Sequence, residues 1–207
     1  MNGIKIAIEG MDGVGKTTIS KMISIEHNMK YIEKPLTNLF TSEELDGGKT
    51  LSKVSDNVYS LNDEIVKAWF FGLGNIYSIL ENPDEDLIID RHFASNYFWN
   101  GSLRSERIFK TMLELVGCPD LTILLYAPIN VRLKRLYKRD PNDYDLTDPE
   151  KLVDGYEKMI YFLKKFNIPF VIVDTENKSI NEVFTEVSSI VNKIKSKSKN
   201  ITKELIP

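Results

Sequence analysis

The stretch Gly10-Met11-Asp12-Gly13-Val14-Gly15-Lys16-Thr17-Thr18 constrains this chain more than any other. A β-branched run, Ile4-Lys5-Ile6-Ala7-Ile8, leads into it, and Ile19-Ser20-Lys21-Met22-Ile23 carries a helical apolar period away from it. Gly10, Gly15, Lys16 and Thr17 fill the fixed positions of G-x-x-x-x-G-K-[ST]. Glycines let the backbone wrap closely enough for successive N–H groups, from Gly13 and Val14 to Thr18, to point inward at phosphate oxygens. The helix that starts near Gly15 adds the positive end of its dipole. Lys16 reaches the outer phosphates as a point charge, and the Thr17 hydroxyl is placed to ligate Mg²⁺. A strand, a loop and a helix in this register predict a nucleoside triphosphate site.

Apolar runs and helical patterns alternate along the rest of the chain. Strands are expected at Ile4–Ile8, Lys30–Ile32, Leu87–Ile89 leading to Asp90-Arg91, Leu121–Tyr126 and Phe170–Val173. Helices are expected from about Gly15 to Glu26, over 57–80, 94–116, 130–138 and 149–166, and from about Ser179 onward. Residues 36–55 read as loop and short helix, around Gly47-Gly48. Continuous apolar strands separated by helices predict an α/β fold, a parallel sheet of about five strands covered on both faces. Ligands in such sheets lie beyond the carboxyl ends of the strands, where Glu9, Glu33, Asp90, Arg91 and the loop should converge.

The 207 residues suit one domain, with a short basic lid over about 135–148. A net charge of −3 gives no basic excess for wrapping a nucleic-acid polymer. Cys118 is the only cysteine, which suits a reducing cytoplasm. No stretch resembles a signal peptide, and none approaches the ~20 apolar residues of a membrane span.

Asp90 ends the third apolar run, where an acid helps hold a metal ion, and Arg91 beside it can clamp a phosphate bidentately. Arg132, Arg135, Lys138 and Arg139 recur at helical spacing before the predicted lid. Arg135 and Arg139, at i and i+4, are the pair placed to stabilise charge on a transferring phosphoryl group. The aromatic residues Trp69, Phe70, Phe71, Tyr97, Phe98 and Trp99 flank the expected cleft, where one or two could meet a base.

These motifs together resemble the thymidylate kinase family. The loop from Glu9 to Thr18 is similar to its E-G-x-D-G-x-G-K-[ST]-T, and Asp90-Arg91-His92-Phe93-Ala94-Ser95 to its D-R-Y-x-x-S. Pro119-Asp120-Leu121-Thr122 and Gly155-Tyr156 match further elements, so the likeness covers most of the chain. The resemblance implies transfer of the γ-phosphoryl of ATP, with Mg²⁺, to dTMP in a homodimer. It implies that Asp12 meets the deoxyribose 3′ hydroxyl, Phe71 stacks on the base, Arg91 holds the acceptor phosphate and Thr17 with Asp90 serves the metal. Ser95 of the same motif and Glu33 after strand two join the acceptor site by the same likeness. Gly13 stands where some members carry an arginine, which leaves catalytic positive charge to the lid.

Three positions depart from the family pattern: Asn75 and Lys34 stand where arginines are usual, and His92 where a tyrosine is. Lysine offers only a point charge where arginine binds bidentately. Those losses point toward the related deoxynucleoside kinases, in which Glu33 would act as general base on a 5′ hydroxyl. Met11-Asp12-Gly13 follows the thymidylate kinase form of the loop instead. A nucleotide-driven switch is the third class, and its guanine-reading N-K-x-D has only Asn177-Lys178-Ser179-Ile180 here, without the acid.

Overall fold

A computed structural model describes residues 3–44, 46–142, 146 and 155–204, the last seven of these by backbone alone. Among the described residues five strands form one sheet: β1 (Lys5–Glu9), β2 (Lys30–Glu33), β3 (Leu87–Asp90), β4 (Leu121–Tyr126) and β5 (Phe170–Asp174). Their order is β2-β3-β1-β4-β5, and every pairing is parallel. In the central strand β1, Ile6, Ala7 and Ile8 are all fully buried although their side chains alternate between faces. A strand buried on both sides needs helices on both sides.

The helices are α1 (Lys16–His27), α2 (Pro35–Leu39), α3 (Gly47–Ser60), α4 (Glu64–Leu80), α5 (Phe93–Asn100), α6 (Glu106–Val116), α7 (Ile129–Arg139), α8 (Gly155–Lys165) and α9 (Ile180–Glu204). One group pairs α1 with α9; the other joins α4 with α5 and α6, and α5 with α8. Right-handed crossovers explain this division. The step from β1 to β2 moves one way across the sheet and carries α1. The steps from β2 to β3, β3 to β4 and β4 to β5 move the other way and carry α2 to α8. The direction reverses at the neighbours β1 and β3, so a crevice opens beyond their carboxyl ends.

Three expected segments differ in their boundaries. The helix expected over 57–80 is two helices, because Asn62 takes a left-handed φ of 50° and the Asp63 carboxylate caps a new start, accepting from the amides of Ile65 and Val66. Residues 36–55 hold more helix than expected, since Lys34-Pro35 starts α2 and the Asp46 side chain caps α3 by accepting from the Lys49 amide. The segment 94–116 breaks after Asn100, where Gly101 packs so tightly on Tyr97 that a Cβ would collide with that ring. The start of the helix expected at 149, and the lid beyond 142 apart from residue 146, lie outside the described residues.

Candidate active site

The loop between β1 and α1 turns through Gly10, Gly13 and Gly15 with φ of 138°, 84° and 96°. These are left-handed or mirror conformations that only glycine adopts freely. A Cβ on Gly10 would run into the Leu125 carbonyl oxygen, and one on Gly13 would sit 2.7 Å from that of Arg132. The loop is therefore clamped against β4 and α7. Inside the curl, the Lys16 amine donates to the Met11 carbonyl oxygen at 2.9 Å and pairs with Asp12 at 3.5 Å. Burial lowers the Lys16 pKa to about 8, and the Arg91 cation nearby pushes the same way. The negative charge of a phosphate between the two cations would oppose both effects.

Beyond β3, Asp90 faces α1 across the crevice. The Thr17 hydroxyl donates to Asp90 Oδ2 at 2.5 Å, and the Tyr31 hydroxyl lies 3.4 Å from the same oxygen. Asp90 Oδ1 is buried without a hydrogen-bond partner among the described residues. A bare carboxylate oxygen beside a threonine hydroxyl at a phosphate loop fits a hard cation. Among the described residues no group of three or more His, Cys, Asp or Glu could hold a metal. Thr17 and Asp90 are thus the donors in view, a protein share that suits Mg²⁺ when phosphates and water complete its shell.

Arg91 has a left-handed φ of 71°, and its guanidinium pairs with the Asp12 carboxylate at the mouth of the loop. Glu33 sits opposite Asp90 in the β2–β3 register and accepts from the Tyr31 hydroxyl at 2.9 Å. Burial and the two acids hold the Tyr31 phenol far above its usual range, so it remains a donor between them. His92 is buried, donates through Nε2 to the Asn75 carbonyl oxygen at 3.2 Å, and burial lowers its pKa to about 4.

A cavity of about 440 Å³ runs from the loop between α7 and the start of α9. Gly13 to Thr18 line it with Asp12, Arg91, Arg135 and Arg139. Gly10 and Asp90 adjoin residues of this lining without being part of it, and four further candidates sit apart. Ser95 is buried and gives its hydroxyl to Glu9. The Asn75 side chain is buried and accepts from Asn96 at 2.9 Å. Glu33 lies at the edge strand, and Phe71 packs between Tyr59 and Phe70 on α4, with ring centroids 5.2 and 5.0 Å away. Arg135 is held in place, donating to Thr175 Oγ1 at 2.9 Å and to the Thr175 carbonyl oxygen at 2.6 Å. Thr175, Ile180 and Val183 complete the far wall, and sequence reasoning did not single them out. Thr175 follows directly on β5, so the rule that ligands gather beyond strand ends was the available signal.

A glycine-rich loop at one strand end and an arginine at the next, on a parallel sheet in this order, define the P-loop kinase class. Two structures of deoxyadenosine kinase from M. mycoides share the architecture. The one with bound dATP has a TM-score of 0.62 at 17% identity, covering 91% of this chain and 99% of that one. The one with bound dCTP has a TM-score of 0.59 at 19% identity, covering 92% and 100%. Sequence narrows the class. Residues 8–187 match the family described as thymidylate kinase, and the chain belongs to that family. It is similar to a probable thymidylate kinase of Methanococcus maripaludis strain C6, with 30% identity over 202 residues, 91% of this chain and 96% of that protein. Probable thymidylate kinase 1 of Saccharolobus solfataricus is 30% identical over 195 residues, with the same coverage. The chain is accordingly an ATP-dependent nucleotide kinase.

Proposed function

We propose that this protein transfers the γ-phosphoryl group of ATP to dTMP, giving ADP and dTDP, within one kinase domain whose lid spans about 135–148. The observation that carries this reading is the placement of Arg91 at the loop mouth, its guanidinium on Asp12. When dTMP enters, its phosphate displaces the Asp12 carboxylate from Arg91, and Asp12 is released toward the sugar 3′ hydroxyl. An acceptor phosphate oxygen forms a bond to the γ-phosphorus while the bond to the β–γ bridging oxygen breaks. The loop amides and Lys16 hold the donor phosphates, and closure over them strengthens each charge–dipole contact. Thr17 and Asp90 would hold Mg²⁺, which neutralises charge on the donor phosphates when bound. Arg135, tied to Thr175, shapes the donor cavity, and Arg139 faces the phosphates from the start of the lid. Phe71 offers the face on which the acceptor base stacks, with Asn75, Ser95 and Glu33 supporting that side.

The deoxynucleoside kinase reading draws on the Tyr31-bridged Glu33 beside Asp90, where a base would sit. ATP consumption with Mg²⁺ against dTMP, the other deoxynucleoside monophosphates and the matching nucleosides separates the two. Turnover with dTMP and not thymidine is the expected result; turnover with nucleosides alone would overturn it and make Glu33 the base.

The reaction is placed in the cytoplasm, consistent with a single cysteine. No described helix is long and apolar enough to cross a membrane. A homodimer is supported by Val66, Trp69, Leu73 and Leu80, which share one exposed face of α4. Sedimentation of wild type and Leu73→Glu tests it, with a dimer expected for the first and a monomer for the second.

A further inference from the structure

We propose that Glu9 is a positioning residue that ties the donor loop to the acceptor arginine, setting where Arg91 stands relative to the bound triphosphate. Glu9 ends β1, one residue before Gly10, and is fully buried. Its side chain crosses to the exit of the neighbouring strand. Oε1 accepts from the amides of His92 at 2.9 Å, Ala94 at 3.0 Å and Ser95 at 3.1 Å, and Oε2 accepts from the Ser95 hydroxyl. The residue at the cap position of α5, His92, makes no side-chain cap of its own. Glu9 therefore supplies from another strand the acceptor that the first amides of α5 require.

The same strand end also holds the residue before this cap. The Arg91 amide donates to the Ile8 carbonyl oxygen at 3.0 Å. Arg91 thus sits between two anchors on β1, Ile8 at its own amide and Glu9 at the amide after it. Its φ of 71° is a conformation that costs an arginine free energy and persists only when its surroundings over-determine it. Burial works against a carboxylate at this site and raises the Glu9 pKa, while the Ser95 hydroxyl, the amides of Ser95 and His92 and the Arg91 charge oppose that rise. A carboxylate kept here against its desolvation serves the geometry of the turn, because no neutral apolar side chain could gather three amides onto one point. Glu9 is fully buried and does not line the cavity, so its effect on transfer passes through Arg91.

This inference rests on the reading of Arg91 as the ligand of the acceptor phosphate. The test is steady-state kinetics of Glu9→Gln and Ser95→Ala with ATP and dTMP varied independently, on protein whose fold is checked by urea unfolding. Glu9→Gln should raise KM for dTMP about tenfold and lower kcat, with KM for ATP within about twofold of wild type. Ser95→Ala, which removes one donor and leaves the three amides, should move KM for dTMP the same way by about threefold. Equal rises in both KM values, or no rise in that for dTMP, would overturn the proposal. If Glu9→Gln does not fold, Glu9→Asp, which keeps the charge and shortens its reach to the three amides, is read by the same ratio of KM values. Wild-type protein that turns over no dTMP would instead sink the underlying reading, so the two failures are told apart.

Discussion

Two turns face each other across the crevice, and both pass through left-handed backbone. The loop after β1 does so at Gly10, Gly13 and Gly15; the turn after β3 does so at Arg91. In the first the conformation is free, because glycine has no Cβ to collide with the following carbonyl. In the second it costs roughly 1–2 kcal/mol, and contacts from β1 hold it. The loop proposed to grip the donor is thus written into local residue types, whereas the arginine proposed to meet the acceptor is held by tertiary packing. The loop needs glycine at Gly10 and Gly13, where a Cβ would meet backbone; a bidentate phosphate clamp needs a guanidinium, whatever its backbone costs.

The sharpest way to break this comparison is to remove the charge at the centre of the loop. Lys16→Ala should lower kcat by about 10³-fold, on the scale of losing a charged transition-state donor. Its unfolding free energy should not fall, because a desolvated lysine costs the fold. A kcat within tenfold of wild type would place donor binding elsewhere. Next comes the loop backbone. Gly10→Ala should cost about 3 kcal/mol in urea unfolding, since its Cβ meets the rigid Leu125 carbonyl. Gly15→Ala, with none of the described residues within 4 Å of a Cβ, should cost only about 1 kcal/mol of backbone strain. Equal losses at the two glycines would mean that the clamp against β4 does not matter.

The acceptor turn should respond in two opposed directions. Arg91→Gly relieves the strained φ and should raise stability by about 1 kcal/mol. The same change should lower kcat/KM for dTMP by about 100-fold through the lost bidentate contact. A variant that loses stability and activity together would show that Arg91 is held without strain. The smallest effect is in pH. The folded Lys16 pKa of about 8 lies below its unfolded value of 10.5, so the folded protein sheds this proton as pH rises through 8. Stability from this group rises with pH between those two values. Donor binding runs the other way: kcat/KM for ATP should fall about twofold from pH 7 to 8, while kcat keeps its value because bound phosphate restores the charge. A pH profile of kcat/KM flat to 9.5 would contradict the burial of Lys16.

Much of the fold could be read along the chain because its signals are short in range. The five apolar strands and the loop motif each declare themselves within ten residues, and alternation with helices implies parallel pairing. The joint at Asn62-Asp63 stayed hidden because apolar spacing runs through it without glycine or proline; only the Asp63 cap marked it. In the site, Lys16, Thr17, Asp90 and Arg91 were legible as strand-end and loop residues. Thr175 and Ile180 were not, since their importance comes from facing Arg135 and the loop across the cavity.

By itself the sequence determined that a triphosphate loop opens a parallel α/β fold, because the needed glycines, lysine and threonine lie next to one another. The tertiary structure decided which distant groups serve that loop. Glu9 reaches residues 83 to 86 positions away, and Arg135 reaches one 40 positions away. A hydrogen bond reads distance in space, and one sequence without its fold does not state that distance.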